Sequence, residues 1–137
     1  MKLIKKFIAD CRAEMDEAVF VLPVMLLVTF ALINFGLLGW SSNVAANAAN
    51  YGARMGSVAQ SDPGAVAYSA AASKVGGDLA GDYTVTVIGG GRPGSVIQVI
   101  VRYSVPNFFG PFATLFGVST PSTLGGEATS SFRQEGW

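Results

Sequence analysis

Histidine is absent from the 137-residue chain, which removes imidazole as a general base and removes the ligand on which most protein zinc sites rely. Cysteine occurs once, at Cys11, so no disulfide can form within the chain and stability rests on packing and partners. Charge is sparse: nine Lys and Arg balance nine Asp and Glu, for a formal net charge of zero. Basic residues beyond Arg12 are single and scattered, without the continuous positive surface that neutralises nucleic-acid phosphates. The acids of the C-terminal part, Asp62, Asp78, Asp82, Glu127 and Glu135, are each explained as a cap, turn or strand-end residue. Such a composition predicts no catalytic residues, no cofactor, no metal and no small-molecule substrate, and the chain is read as a non-enzyme.

The longest absence is the most informative. Residues Ala18 to Ala53 contain no Asp, Glu, Lys or Arg, and Ala18 to Trp40 form one apolar block, AVFVLPVMLLVTFALINFGLLGW. As a helix this block extends roughly 35 Å, enough to cross a hydrocarbon core of about 30 Å with some tilt. It is too long for a cleaved secretory signal, and Gly36, Gly39 and Ser41 offer only a loose cleavage site, so retention as a membrane anchor is expected. Pro23 is expected near a helix start or at a kink. Thr29 and Asn34 are weak polar spots, expected to bond backbone or a neighbouring helix. Lys2, Lys5, Lys6 and Arg12 crowd the N-terminal side, whereas the next basic residue after Trp40 is Arg54. The predicted topology has a cytoplasmic N-terminus, Trp40 at the far interface, and the remainder extracytoplasmic. The expected organisation is a short cytoplasmic leader (1–17), a transmembrane helix (18–40) and an exported head (41–137).

Beyond the anchor the helix is expected to continue into water, because Leu37, Val44, Ala48, Tyr51, Met55 and Val58 recur at helical spacing as an apolar stripe. The same stretch is rich in small residues. Ala45, Ala49, Gly52 and Gly56 would let another element approach closely, either within the head or between subunits. Asp62 and Pro63 form an N-cap and first-turn pair for a second helix, with Tyr68, Ala72, Val75 and Leu79 on one face. The periodicity then switches to two. Tyr83, Val85 and Val87 form one face of a strand, Ile97, Val99, Val101, Tyr103 and Val105 continue as the inward face of a partner, and Ala128 to Arg133 make a short third strand. The predicted fold class is α+β: a transmembrane helix extended into a long amphipathic helix, a second short helix, and a small antiparallel β-sheet of about three strands, around a thin core.

Gly89-Gly90-Gly91-Arg92-Pro93-Gly94 fits G-x-G-x-x-G letter by letter. A dinucleotide loop must open a helix that faces the pyrophosphate, whereas the following SVIQVIVRYSV is β-branched and alternating, so a hairpin turn is predicted. Between the second and third strands lies an apolar connection carrying Phe108, Phe109, Phe112 and Phe116 among Gly and Pro. Its length suggests a role, and for a head with so little core a partner or membrane contact is favoured over internal packing.

These features together carry a family resemblance. Glu17-Ala-Val-Phe-Val-Leu-Pro23, Asn34-Phe35-Gly36 inside the helix, Ala48-Ala49-Asn50-Tyr51-Gly52-Ala53-Arg54 after it, and the Val-rich strand, Pro/Phe segment and final Ser130-Ser131-Phe132-Arg133 resemble the TadE-like proteins, minor pilins or pseudopilins of tight-adherence pilus machinery. The resemblance extends from about Arg12 to Glu135. It implies a pilin-like, single-span protein that builds or anchors a surface filament after a prepilin-type peptidase removes a basic leader. By that pattern the cut falls between Arg12 and Ala13, but Arg12 stands where the family has glycine, and the chain is expected to resist cleavage. Glu17 sits at the membrane boundary, where a carboxylate is costly unless paired. A new N-terminal amine, Lys6, Arg12 or a neighbouring subunit could serve as its partner.

The sequence therefore predicts a pilin-like structural subunit in the cytoplasmic (inner) membrane, its partners being the lipid bilayer and other copies or pilin-like subunits. The competing prediction is a small single-span accessory subunit of a larger membrane complex.

Overall fold

A computed structural model describes residues 2–114 and 117–135, with side chains described for Val19 and from Val21 onward. Phe116 lies outside the described residues, as do the side chains of Arg12, Ala13 and Glu17.

The first element, α1 (Lys2–Val58), is a single helix of 57 residues, roughly 85 Å long at 1.5 Å per residue. It runs without a break from the basic N-terminal region through the apolar block and into the head. Pro23 is inside it, some twenty residues from the helix start rather than near it, so the Val19 carbonyl loses its intrahelical donor. α2 (Pro63–Val75) follows, capped by Asp62, whose carboxylate accepts from the Ala65 N–H at 3.1 Å. Then come β1 (Asp82–Gly89), β2 (Val96–Pro106), the single turn α3 (Gly110–Thr114) and β3 (Thr123–Arg133). The strands form one antiparallel sheet in the order β1-β2-β3, giving the α+β layout expected.

Register explains how one sheet face is matched to a helix. Val85, Val101 and Ala128 lie in one row across the strands, and Val87, Val99 and Ser130 in the next. Side chains alternate between sheet faces, so Ile97, Val99 and Val101 of the central strand are fully buried beneath the helices. On β3 the corresponding positions are small. There the Ser130 hydroxyl donates to Asn50 Oδ1 of α1 at 2.6 Å. The Gly-rich segment after β1 is a hairpin connection, with Gly89, Gly90, Gly91 and Gly94 all at positive φ, a backbone state open to glycine at little cost.

On α1 the small residues Ala45, Ala48, Ala49, Gly52, Ala53 and Gly56 face the head, within the chain, while Tyr51, Met55 and Val58 of the apolar stripe are exposed. Tyr51 instead carries the Lys74 ammonium over its ring at 4.7 Å, a cation–π contact at the surface. Two sequence expectations are corrected. α2 turns Pro63, Ala67 and Ala71 inward and leaves Tyr68 in solvent, and it ends at Val75, so Leu79, expected on its face, lies beyond it and is fully exposed. β3 begins five residues earlier than its alternation suggested, because Gly125 and Gly126 lie under Tyr103, where a Cβ would come within 2.3 Å of the Tyr103 carbonyl oxygen or 2.7 Å of its hydroxyl.

The small-residue face works by close approach. A Cβ at Gly52 would stand 2.8 Å from the Ala67 carbonyl oxygen and 2.8 Å from the Ala71 Cβ, and one at Gly56 would stand 2.7 Å from the Ala67 Cβ. Neither backbone can yield without separating the helices. Gly52→Ala is expected to destabilise the head by about 1–3 kcal/mol despite its better helix propensity. Gly36→Ala and Gly39→Ala, where nothing lies within 4 Å, should leave it unchanged or slightly firmer. Thermal unfolding followed by circular dichroism in detergent compares the three, and equal melting of all would contradict the close-approach interface.

Candidate membrane and assembly surface

The N-terminal half of α1 stands clear of the head. Val19, Leu22, Val24, Met25, Leu32 and Phe35 are each more than half exposed, although water would oppose that much apolar surface on a single rod. The helix is long and apolar enough to cross a membrane, and almost none of its most apolar window is buried. A core helix of a soluble domain would have that window covered, so the exposed pattern is that of a single-pass anchor. Thr29 closes its hydroxyl onto the Met25 carbonyl at 2.8 Å, satisfying itself within the helix.

Asn34 behaves differently. It is only 6 % exposed, because the connection between β2 and β3 folds back along α1 and covers it. Its Nδ2 donates to Asn107 Oδ1 at 3.0 Å, and its Oδ1 accepts from the Phe108 N–H at 3.1 Å. Asn107 in turn donates from Nδ2 to the Pro121 carbonyl at 2.8 Å, and its Oδ1 also accepts from the Phe109 N–H at 3.1 Å. The polar spot in the span thus pairs with the chain's own head rather than with a neighbouring helix. Two amides 73 positions apart in sequence fasten the whole connection to the anchor.

Around this pair the aromatic residues take separate places. Phe112 meets Phe30 of α1 and Phe109 in tilted contacts, each at 6.3 Å between ring centres, an arrangement suited to the ring quadrupoles. Phe108 is turned outward and nearly half exposed. An almost wholly apolar groove of about 410 Å³ runs between α1 and the connection, lined by Leu27, Ala31, Phe35, Leu38, Phe109 and Leu124.

Trp40 is 62 % exposed, and its Nε1 donates to Asp78 Oδ1 at 3.3 Å. Asp78 also accepts from the Ala80 N–H at 3.1 Å and from the Tyr83 hydroxyl. The Tyr83 hydroxyl bond holds the Asp78 carboxyl below its ordinary 3.8, outweighing the opposing effect of desolvation. Burial first, and the Asp78 carboxylate second, hold the Tyr83 hydroxyl above its ordinary 10.0. The helix, the turn that follows α2 and the start of β1 therefore meet at Trp40.

At the opposite end of the head a polar hollow of about 530 Å³ lies beside the hairpin glycines, bordered by Asp62, Pro63, Gly90, Gly91, Gln134 and Glu135. No side chain in it is aligned as a nucleophile and base, and among the described residues no three of His, Cys, Asp and Glu come together. Chemically, the arrangement offers apolar contact area and close helix packing.

Against known families, one segment is informative. Residues 17–54 match the family model described as TadE-like protein. The TadE-like segment starts at Glu17 and ends at Arg54, the charged residues that bracket the charge-free stretch, so the likeness lies in the anchor and its junction with the head. It is narrower than the resemblance drawn from the sequence, which reached Glu135. The match points to a pilus-associated membrane protein, in agreement with the exposed apolar helix. Neither the curated proteins nor the solved structures contain a match.

Of the residues singled out from the sequence, Ala45, Ala49, Gly52 and Gly56 meet α2 or the sheet of the same chain, and Phe109 and Phe112 gather on α1 near Phe30. Pro23 and Trp40 stay apart from that cluster, near the start and at the end of the span. Sequence reasoning missed Asn107, Asp78 and Tyr83. A lone amide inside an apolar helix was the one available signal, since it requires a partner somewhere.

Asn34→Leu removes the partner of the Phe108 N–H and one of the bonds of the Asn107 amide, whose bonds to Phe109 and Pro121 remain, a cost of about 1–3 kcal/mol for buried groups. Hydrogen exchange at residues 107–113 should quicken while exchange in β1 and β2 stays as it was, and unchanged protection there would count against the amide pair. The Asp78 cluster gives a pH dependence. A depressed carboxyl stabilises the fold above its unfolded value and ceases to do so as pH falls through the lower folded value; a raised phenol does so below 10 and ceases as pH rises through its folded value. Trp40 fluorescence, read with Trp137→Phe, should therefore be level from about pH 4 to 10 and change beyond both ends, and Asp78→Asn should abolish the acid-side change.

Proposed function

We propose that this chain is a membrane-anchored, pilin-like structural subunit that assembles or anchors a surface filament, with its N-terminus in the cytoplasm and its head outside. The observation that carries the proposal is the continuity of α1: one helix supplies both the exposed apolar span and the buried floor of the head. In such a layout the head cannot turn independently of the anchor, a property suited to a subunit whose helix packs beside others. The TadE-like match over 17–54 supports the pilus setting, and the basic N-terminal cluster supports the orientation. Glu17 and the Arg12–Ala13 junction are the positions at which leader processing and subunit pairing would act, with Arg12 disfavouring cleavage. The helix faces lipid before assembly and neighbouring pilin-like subunits afterwards.

Surface filaments sheared from cells and analysed by mass spectrometry should contain this chain, carrying residues N-terminal to Ala13. Thr86→Cys, on the exposed face of β1, should react with a membrane-impermeant maleimide in intact cells, whereas Cys11 should not. A chain absent from filaments, yet purified with a fixed set of membrane proteins, would favour the accessory-subunit alternative; labelling of Cys11 alone would reverse the topology.

A further inference from the structure

Two charge-free stretches lie side by side in this molecule. One is Ala18–Ala53 of α1; the other is Tyr103–Gly126, which holds no Asp, Glu, Lys or Arg. The second is bounded on either side by Arg102 and Glu127, which face each other across β2 and β3 and pair at 3.3 Å. The nearest charges on the other strands and loops are Asp78, bonded to Trp40, and Asp82, opposite Ser104. Gly81 sits against both the Ser104 carbonyl and Ser41, which puts these acids beside the Trp40–Ser41 turn of α1. From that turn towards the N-terminus, the described side chains of both stretches carry no charge.

We infer that the described part of the connection, residues 107–114 and 117–121, is a lipid-embedded wedge: it enters the leaflet on the head's side of the membrane and meets acyl chains there, fastened by the Asn34–Asn107 pair. The inference rests on the membrane-anchor reading and goes beyond it by assigning a second part of the chain to the bilayer. Position is the first support. Asn34 lies about 9 Å and Phe30 about 15 Å along the helix from Trp40, the residue suited to the interface, so Asn107 and Phe112 are held inside the apolar span. Continuity is the second. The groove along Leu27, Ala31, Phe35 and Leu38 opens directly onto the exposed side chains of the span. A wedge in lipid must also satisfy its own backbone. Here the N–H groups of Asn107, Phe108, Phe109, Gly110, Ala113, Gly117 and Val118 all donate within the chain, to Ser122, Asn34, Asn107, Asn107, Phe109, Thr114 and Ala113 respectively. The Thr120 hydroxyl is buried without a partner, a cost set against those seven bonds. The outward side chains of the wedge are Phe108, Pro111, Val118 and Pro121 together with Thr114 and Ser119, and the Thr114 hydroxyl is closed onto the Pro111 carbonyl at 2.7 Å.

Nitroxide labels in lipid nanodiscs test this on the full chain with Cys11→Ser. Labels are placed at Phe108→Cys and Val118→Cys, with Leu22→Cys on the span and Thr86→Cys on the head as references. Collision with oxygen relative to a water-soluble nickel chelate should be several-fold higher at 108 and 118 than at 86, and similar to that at 22. A ratio at 108 and 118 matching that at 86 would overturn the wedge while leaving the anchor standing. Low collision with both reagents at 108 and 118 would show a protein cover and would also overturn it. A water-like value at 22 would overturn the anchor reading, and the wedge with it.

Discussion

The head depends on direct backbone contact between α1 and α2 at Gly52 and Gly56, one helical turn apart. With no Cβ at either position, the carbonyl surface of α2 reaches the surface of α1, and Ala67 and Ala71 fill what space is left. Everything else in the head is dimensioned by that contact. The sheet brings its bulk on β1 and the central strand, as Val85, Val87, Ile97, Val99 and Val101, while β3, beneath α1, is reduced to Ala128 and Ser130. A larger residue at either glycine would displace the helix that the sheet packs on, so the thin core has little room to adjust.

How much of this the sequence disclosed follows from the kind of signal each element emits. The anchor is written in one long absence of charge. The α2 cap, the alternation in β1 and β2, and the hairpin glycines are local patterns with local causes, and they emerge where expected. The small residues of α1 marked a close-approach surface but not its partner: hydropathy favours Tyr51, Met55 and Val58, which are exposed, whereas the inner face is selected by the absence of volume. β3 was read short because Gly125 and Gly126 look like a turn until Tyr103 is known to lie across them. The Asn34–Asn107 pair could not be read at all, since a contact between positions so distant leaves no local pattern beyond an amide in an apolar run.

That pair also reconciles two properties of the anchor that would otherwise conflict. An amide in a membrane helix usually invites another helix. Here the invitation is answered within the chain, so Asn34 is withdrawn from intermolecular use and the outward surface of the span is left to apolar contacts. Partner choice along the span then falls to shape rather than to hydrogen bonding. The TadE-like match includes Asn34, whereas Asn107 lies beyond it, so the residue that answers comes from outside the matched segment.

The unbroken run of α1 has a mechanical side. From Phe30 to Val58 the rod is roughly 42 Å long; the sheet is bonded to its outer half at Asn50 and the connection after β2 to its inner end at Asn34. With no hinge between, a change of about 10° in the tilt of the span would sweep the tip near Val58 sideways by about 7 Å, well within the range of tilts that membrane helices adopt. The chain is in this sense a lever, and the thickness of the surrounding bilayer becomes a setting of where its outer end points.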